Sequence, residues 1–430
     1  VSVDNPRAFL MSLFQAALAA ADPAHRLASY LPPRPKGRTI VVGAGKAAAA
    51  MAAAVEAAWD GPLSGLVICP YGHGVPPTHS QPMRIEVAEA GHPVPDAAGF
   101  KAASRMLGLL NDLTEDDLVL ALISGGGSAL MSLPALGLSL DDKRVVTQGL
   151  LLSGAPISDM NCLRKHLSAV KGGRLALAAW PAPIHALMVS DVPGDDPAVI
   201  ASGPTVADPS TRHEALEIIR RYKMEVPFAV VQFLKRQAEE TPKAGDERLS
   251  RSTYAIVTRP AESLMAAAEV ARAAGVTPLI LGDAIEGEAR EVARAMAGMA
   301  LSSARLGFPA QPPCVLLSGG ECTVTMRSRG KGGPNGEFAL ALALALDGRN
   351  NISAIACDTD GMDGTSGAAG AIILPDSLER ARAKSIDPRA ILAHNDSASF
   401  FGPLEDLVLT GPTRTNVNDF RAVFIPNAAQ

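Results

Sequence analysis

Short apolar runs recur along this chain, separated by longer segments whose apolar residues fall three and four positions apart. The first amphipathic segment predicts a helix over Pro6 to Ala21, ended by Pro32-Pro33-Arg34-Pro35. Arg38 to Val42, Leu66 to Cys69, Ile85 to Ala88, Leu118 to Ile123 and Ile184 to Val189 then read as strands. Helices are expected over Ala47 to Trp59, Ala97 to Leu113, Asp141 to Leu152 and, as one long element, Ile157 to Trp180. Strands that are apolar on both faces and alternate with helices belong in parallel sheets covered on both sides.

Glu239 to Arg251 is polar and carries Pro242 and Gly245, which makes it the expected linker. Beyond it the alternation restarts. Strands are expected at Tyr254 to Val257, Pro278 to Leu281, Val315 to Leu317, Ile352 to Ala356 and Leu407 to Thr410, and helices at Ala261 to Ala274, Glu286 to Leu306 and Gly336 to Leu346. A chain of 430 residues exceeds one ordinary core, so the expectation is an α/β protein with domains at 1–243 and 250–430.

Composition narrows the class of partner. Hydrophobic residues make up 47% and aromatics only 4%, which favours closely packed helices on sheets. The net charge of -5 is spread without a basic block, which argues against nucleic acid as a partner. Five scattered cysteines with no C-x-x-C pair read as reduced and buried, and no apolar stretch of membrane-spanning length is free of Gly, Pro or charge. The expected setting is the cytoplasm, with no membrane partner. His73, His79 and His92 share a Pro- and Gly-rich stretch, but no helix fixes their spacing as metal ligands.

The loops after the strands hold the candidate chemistry. Cys357-Asp358-Thr359-Asp360-Gly361-Met362-Asp363-Gly364 places three carboxylates on a glycine frame, where mutual repulsion calls for a cation or a ligand's hydroxyls. Gly43-Ala44-Gly45-Lys46-Ala47-Ala48 fits the pattern G-x-G-x-x-A between a strand and a helix, and Lys46 adds a full positive charge. A nicotinamide cofactor would also call for an acid closing the second strand, and that strand runs into Pro70-Tyr71-Gly72-His73 instead. Ser124-Gly125-Gly126-Gly127-Ser128 reads as an anion cradle of backbone N–H groups flanked by hydroxyls. Arg164, Lys171 and Arg174 fall seven and three apart, so on one long helix they would share a side and could clamp an anion. Asp191 follows a buried strand and suits a magnesium ion or a substrate hydroxyl. Ser318-Gly319-Gly320-Glu321 repeats the design, and Gly330-Lys331-Gly332-Gly333-Pro334-Asn335-Gly336-Glu337 opens a helix as a further anion or nucleotide contact.

In order along the chain, VVGAGKAA, GHPVPD, LISGGGSAL, LRKHLSAVKGGRLA, SDVPGDDPAVIASGPTV, LLSGGECTVT, DTDGMDGTSGAAG, NDSASFF and TGPTRTNVND resemble the motifs of class II glycerate kinases. These are glycerate 2-kinases with an N-terminal kinase domain and a C-terminal MOFRL domain. The resemblance implies two Rossmann-like domains with mainly parallel sheets and an active site in the interdomain cleft. It implies transfer of phosphate from ATP to D-glycerate with Mg2+ or another divalent cation; a homodimer is common among such enzymes. Lys46 matches the lysine thought to be catalytically important in the family. Lys46 and Asp191 are then the expected catalytic residues, with Gly45, Ser124, Gly125, Gly126, Gly127, Ser128, Arg164 and Lys171 on substrate and phosphate. Gly319, Gly320, Glu321, Lys331 and Asn335 are expected at the nucleotide, and Asp191, Asp358 and Asp360 at the metal. The family commonly reads Gly-Gly-Arg-Asn-Gln-Glu where this chain has Gly332-Gly333-Pro334-Asn335-Gly336-Glu337, so an arginine of the family is Pro334 here. Two rival readings are an NAD(P)H-dependent hydroxypyruvate reductase and a non-catalytic binding protein for small sugar acids.

Overall fold

The computed structural model describes residues 3–75, 83–236 and 240–427. The chain divides into two compact units, Pro23–Val257 and a second made of Val1–Asp22 with Thr258–Gln430.

The first unit is organised around strands β1 (Thr39–Ala44), β2 (Ser64–Pro70), β3 (Ile85–Ala90), β4 (Leu118–Ser124), β5 (Ile184–Val189) and β6 (Ser252–Thr258), in the order β3-β2-β1-β4-β5-β6. Pairings from β3 to β5 are parallel, with Val42 opposite Leu66 on one side and Ala121 on the other, and Ala121 opposite Ala186. This is a doubly wound sheet whose strand order reverses between β1 and β4, and such a switch point opens a crevice beyond the strands' carboxyl ends. Apolar side chains of β1, β2, β4 and β5 pack with Met106, Leu130, Val170 and Leu175 into one core.

Within this unit the expected long helix from Ile157 is two shorter ones, Ile157–His166 and Arg174–Ala179. Gly172 and Gly173 carry φ of 56° and 82°, a left-handed pair that ends any helix reaching them. The side-sharing argument for Arg164, Lys171 and Arg174 therefore fails. Arg174 turns back to donate to the Lys165 carbonyl at 3.0 Å.

The second unit carries strands β7 (Thr277–Gly282), β8 (Gly287–Glu288), β9 (Cys314–Ser318), β10 (Cys322–Thr323), β11 (Ser353–Asp358), β12 (Gly370–Ile373), β13 (Leu407–Val408) and β14 (Asp419–Ile425). β8 and β10 form a small ribbon, and the main sheet runs β13-β12-β11-β14-β9-β7. Only the β7–β9 edge of that sheet is parallel; β13, β12, β11, β14 and β9 pair antiparallel in turn. The expectation of mainly parallel sheets thus holds for the first unit and is corrected for the second, which is mixed. The reason is two apolar runs absent from the expected strands: β14 inserts antiparallel between β11 and β9, and β12 pairs antiparallel with β11 and β13.

Both faces of this sheet are covered. The helices Ala289–Leu306 and Pro334–Leu346 bury Ala293, Met296, Phe338 and Leu342 on one side. On the other, the helices Pro6–Ala21 and Pro260–Ala273 pack Phe9, Leu13, Phe14 and Leu264 against β9, β11 and β14. Phe9 meets Phe424 edge-on, with ring centroids 5.0 Å apart. The N-terminal helix, expected within 1–243, belongs by these contacts to the second unit. All five cysteines are buried and none is in a disulfide, and no helix among the described residues is long and apolar enough to cross a membrane.

Candidate active site

At the switch point of the first unit, the loops after β1 and β4 lock together. The N–H of Lys46 donates to Gly125 O at 2.8 Å, that of Ala47 to Ser124 Oγ at 3.0 Å, and that of Gly45 to Ile68 O at 3.0 Å. The glycine-rich turn after β1 therefore spends its amides on the protein itself. Gly45 is glycine because its φ is 143° and a Cβ there would collide with Ser124 Oγ. Its role is close packing of two loops, which replaces the expected backbone approach to an anion.

The second loop keeps the opposite character. Among the described residues no backbone carbonyl accepts from the N–H of Gly126, Gly127 or Ser128. Lys46 and His92 border this loop: a Cβ on Gly126 would lie 2.9 Å from His92 Nε2 and 3.4 Å from Lys46 Cγ. Ser128 Oγ lies 2.9 Å from Ser202 Oγ, and the Ser202 hydroxyl donates to Asn161 Oδ1 at 3.2 Å. Ala201 and Ser202 hold φ of 49° and 63°, an unfavourable conformation for residues with a Cβ, in a segment that presents a hydroxyl to Ser128. Asp191 follows β5, the parallel neighbour of β4, and so lies beyond the same carboxyl end of the strands.

Arg164 and Lys171 come together here by a route the sequence did not show, and they bring a third cation, Lys143. Lys143 and Lys171 are buried, and each perturbs the other. Burial above all pushes Lys143 down to about 8, and Lys171 falls well below the ordinary lysine range for the same reason, with Lys143 and Arg164 adding to it. His92, Asn161, Ser202 and Lys143 were not among the expected site residues. Lys143 had a signal: it occupies the same helical register as the buried Val146 and Leu150.

In the second unit, Asp358 ends β11 directly opposite Asp419 on β14. Asp358 Oδ1 accepts the N–H of Asp360 at 2.9 Å, and Asp360 Oδ1 accepts that of Met362 at 2.7 Å, so both carboxylates are oriented by one turn. Asp363, third acid of the stretch, is used differently. Its buried carboxylate accepts the N–H of Asn335 at 2.9 Å and of Gly336 at 2.8 Å, capping the helix Pro334–Leu346. Burial raises its carboxyl to about 7, although these two N–H groups work against the rise and Asp419 adds to it.

The same cap corrects the expectation for the Lys331-to-Glu337 loop: the helix start that would meet an anion is occupied by Asp363. Asn335 is buried, with Nδ2 donating to Asp419 Oδ1 at 2.6 Å, so it holds the scaffold instead of facing a nucleotide. Pro334 is the first residue of that helix, where its fixed φ and missing N–H are well tolerated. Lys331 is exposed and, with Arg329, Gly330, Met326, Pro334 and Thr365, lines a cavity of about 490 Å³ floored by Glu337. Glu337 itself is held by Arg290 at 2.6 Å and Asn395 at 2.8 Å. Gly319, Gly320 and Glu321 lie elsewhere, at the end of β9. There the N–H of Asp419 donates to Gly320 O at 3.1 Å, which sets this turn beside the Asp358 end of β11.

Among the described residues no cluster of three or more His, Cys, Asp or Glu side chains could hold a metal ion by itself. His79 lies outside the described residues.

Comparison with known proteins adds the family. Residues 9–235 match the Domain of unknown function (DUF4147), and residues 314–419 match the MOFRL family. The chain is 54% identical, over 98% of its length and 95% of the other's, to an Agrobacterium vitis protein named provisionally as a hydroxypyruvate reductase. It is 38% identical to the D-glycerate 2-kinase of Thermotoga maritima, over 95% of this chain and 96% of that one. A crystal structure of glycerate kinase from Thermotoga maritima superposes with a TM-score of 0.85 at 36% identity, covering 97% of this chain and 98% of that one. With both domains matched in order and a glycerate 2-kinase aligned over nearly all of each chain, this protein belongs to the glycerate 2-kinase family of DUF4147–MOFRL proteins.

Proposed function

We propose that the chain transfers the γ-phosphoryl group of ATP to the 2-hydroxyl of D-glycerate, giving 2-phosphoglycerate and ADP. The observation that carries this reading is the switch-point site, where Lys46 and His92 stand over an amide-rich loop continued by a ladder of hydroxyls. Phosphoryl transfer asks the protein mainly for positioning and charge neutralisation. Lys46 would neutralise the transferring phosphoryl oxygens, and the N–H groups of Gly126 to Ser128 would hold them. Asp191 would take the proton from the acceptor hydroxyl as its oxygen attacks phosphorus.

On the second unit, Asp358 and Asp360 present hard oxygens from a single turn, which suits magnesium, an ion that commonly uses one or two carboxylates and completes its shell with substrate phosphates. A cation held there would supply neutralisation of the donor's phosphate charge. Arg329 and Lys331, which line the 490 Å³ cavity, would supply the charge that Pro334 lacks and face the nucleotide.

The reductase reading has a specific observation in its favour, the name carried by the 54% identical relative. Two features of the site oppose it. A dinucleotide's pyrophosphate needs open amides after β1, and those of Gly45, Lys46 and Ala47 are all engaged. The end of β2, where a ribose acid would stand, is Pro70. Paired assays separate the readings. ADP release with D-glycerate and no NADH oxidation with hydroxypyruvate is expected; the reverse result would install the reductase, and glycerate binding without ATP turnover would leave a binding protein.

A further inference from the structure

Three cations share one buried neighbourhood of the first unit. Lys143 comes from the helix Leu140–Ser153, Arg164 from the helix Ile157–His166, and Lys171 from the segment between that helix and Arg174. Lys143 is 8% exposed and Lys171 2%; the two amines face each other, and among the described residues no carboxylate or carbonyl accepts from Lys143 Nζ. Among those residues no acid acts on either amine, and each is disturbed only by burial and by the other two cations. The acids close by are already engaged: Asp208 with Lys165 at 3.2 Å, and Glu240 with His166 at 2.9 Å.

Burying two amines and a guanidinium together without an acid is unfavourable, whether the amines keep their protons or give one up, unless an anionic ligand completes the arrangement. The cluster also adjoins the switch-point site through two links. Gly172, next to Lys171, donates its N–H to Ser202 O at 3.0 Å. Asn161, one turn before Arg164 on the same helix, accepts from the Ser202 hydroxyl, which meets Ser128 in turn. Basic groups thus stand at one end of a row of neutral hydroxyl and amide groups. That order matches a small acid with hydroxyls on the carbons beside its carboxylate.

We infer that Lys143, Lys171 and Arg164 form the seat for the carboxylate of the hydroxy-acid acceptor, with Ser128, Ser202 and Asn161 along its hydroxyls. This rests on the kinase reading above and adds Lys143 and the direction in which the acceptor lies. Filling the seat returns a proton to the cluster, because a bound carboxylate favours the charged form of both amines.

The test is calorimetric titration of the whole chain, without ATP, with D-glycerate, glycerol, inorganic phosphate and ADP, for wild type, Lys143→Met and Lys171→Met. Repeating the glycerate titration at pH 8 in buffers of different ionisation enthalpy counts protons taken up. The expected result is net proton uptake by wild type, at least a tenfold loss of glycerate affinity in each variant, and unchanged ADP affinity with an undiminished melting temperature. Glycerol, lacking the carboxylate, should bind no better than the variants bind glycerate. Wild-type glycerate affinity in both variants would overturn the seat, as would a selective loss of ADP or phosphate binding. If wild type fails to phosphorylate glycerate yet Lys143→Met loses its binding, the seat stands and the reaction assignment falls. If wild type is an active kinase and both variants bind glycerate unchanged, the reaction assignment stands and the seat falls.

Discussion

Lys46 and Lys143 illustrate two uses of one residue type. Lys46 is half-buried above the Gly126 loop, where its charge meets whatever sits on the open amides. Losing such a charge commonly costs roughly 3 kcal/mol of transition-state stabilisation, so Lys46→Ala should lower kcat about a hundredfold or more while circular dichroism stays unchanged. Near-normal turnover would remove Lys46 from the chemistry. Lys143 instead bears the burden of a buried charge with no acid beside it. Replacing it by Met, of similar length, should raise unfolding free energy by about 1–3 kcal/mol in the absence of ligand. The gain has a pH signature. Lys143 is pushed down to about 8 in the fold against an ordinary value of 10.5. Below pH 8 both folded and unfolded chains carry the proton and wild type bears the full penalty. Between 8 and 10.5 only the unfolded chain holds it, so wild type gains stability and the advantage of Lys143→Met shrinks. Denaturant titrations at about pH 7 and about pH 9.5 measure this; a gap that widens with pH would contradict it.

The helix Pro334–Leu346 is started by an acid from elsewhere in the sequence. Asp363 occupies its first amides, and burial raises that carboxyl to about 7. A raised carboxyl is protonated in the fold while the unfolded chain has already released its proton, so its contribution to stability is present below the ordinary carboxylate range and is lost as pH climbs towards 7. Asp363→Ala should therefore cost about 1–2 kcal/mol at pH 5, as caps generally do, and less at pH 8. An equal or larger cost at pH 8 would reject the assignment. Elements are legible in proportion to their local signal. Pro6–Ala21 emerges with the bounds its periodicity and leading proline indicate, and β4 and β5 lie where continuous apolar runs place them. The break at Gly172 and Gly173 is hidden by neighbouring charges that fit a helical spacing. β14 escapes a local reading although Phe420, Val423, Phe424 and Ile425 are apolar, because nothing nearby in sequence says a strand will enter a sheet antiparallel. Among site residues, the motif loops are visible, whereas Asn161 and Ser202 owe their meeting with Ser128 to tertiary packing alone.

For the molecule, strand order matters more than any single motif. The sequence β3-β2-β1-β4-β5-β6 creates one reversal, and the loops that flank it carry Lys46 and Ser124 to Ser128. The glycine pattern after β1 would suggest a dinucleotide on sequence grounds, yet its amides close on β4's loop and leave the anion site to the neighbouring turn. Gly45→Ala, which forces a Cβ into Ser124 Oγ, should accordingly unseat that junction and destabilise the first unit by more than about 1 kcal/mol. Soluble Gly45→Ala with an unchanged unfolding midpoint would show that the junction tolerates far more than its geometry suggests. The most direct test of phosphoryl transfer to glycerate is phosphorus NMR of a reaction containing the protein, ATP, Mg2+ and D-glycerate. 2-Phosphoglycerate should accumulate in step with ADP; no new phosphate ester above a glycerate-free control would contradict the assignment.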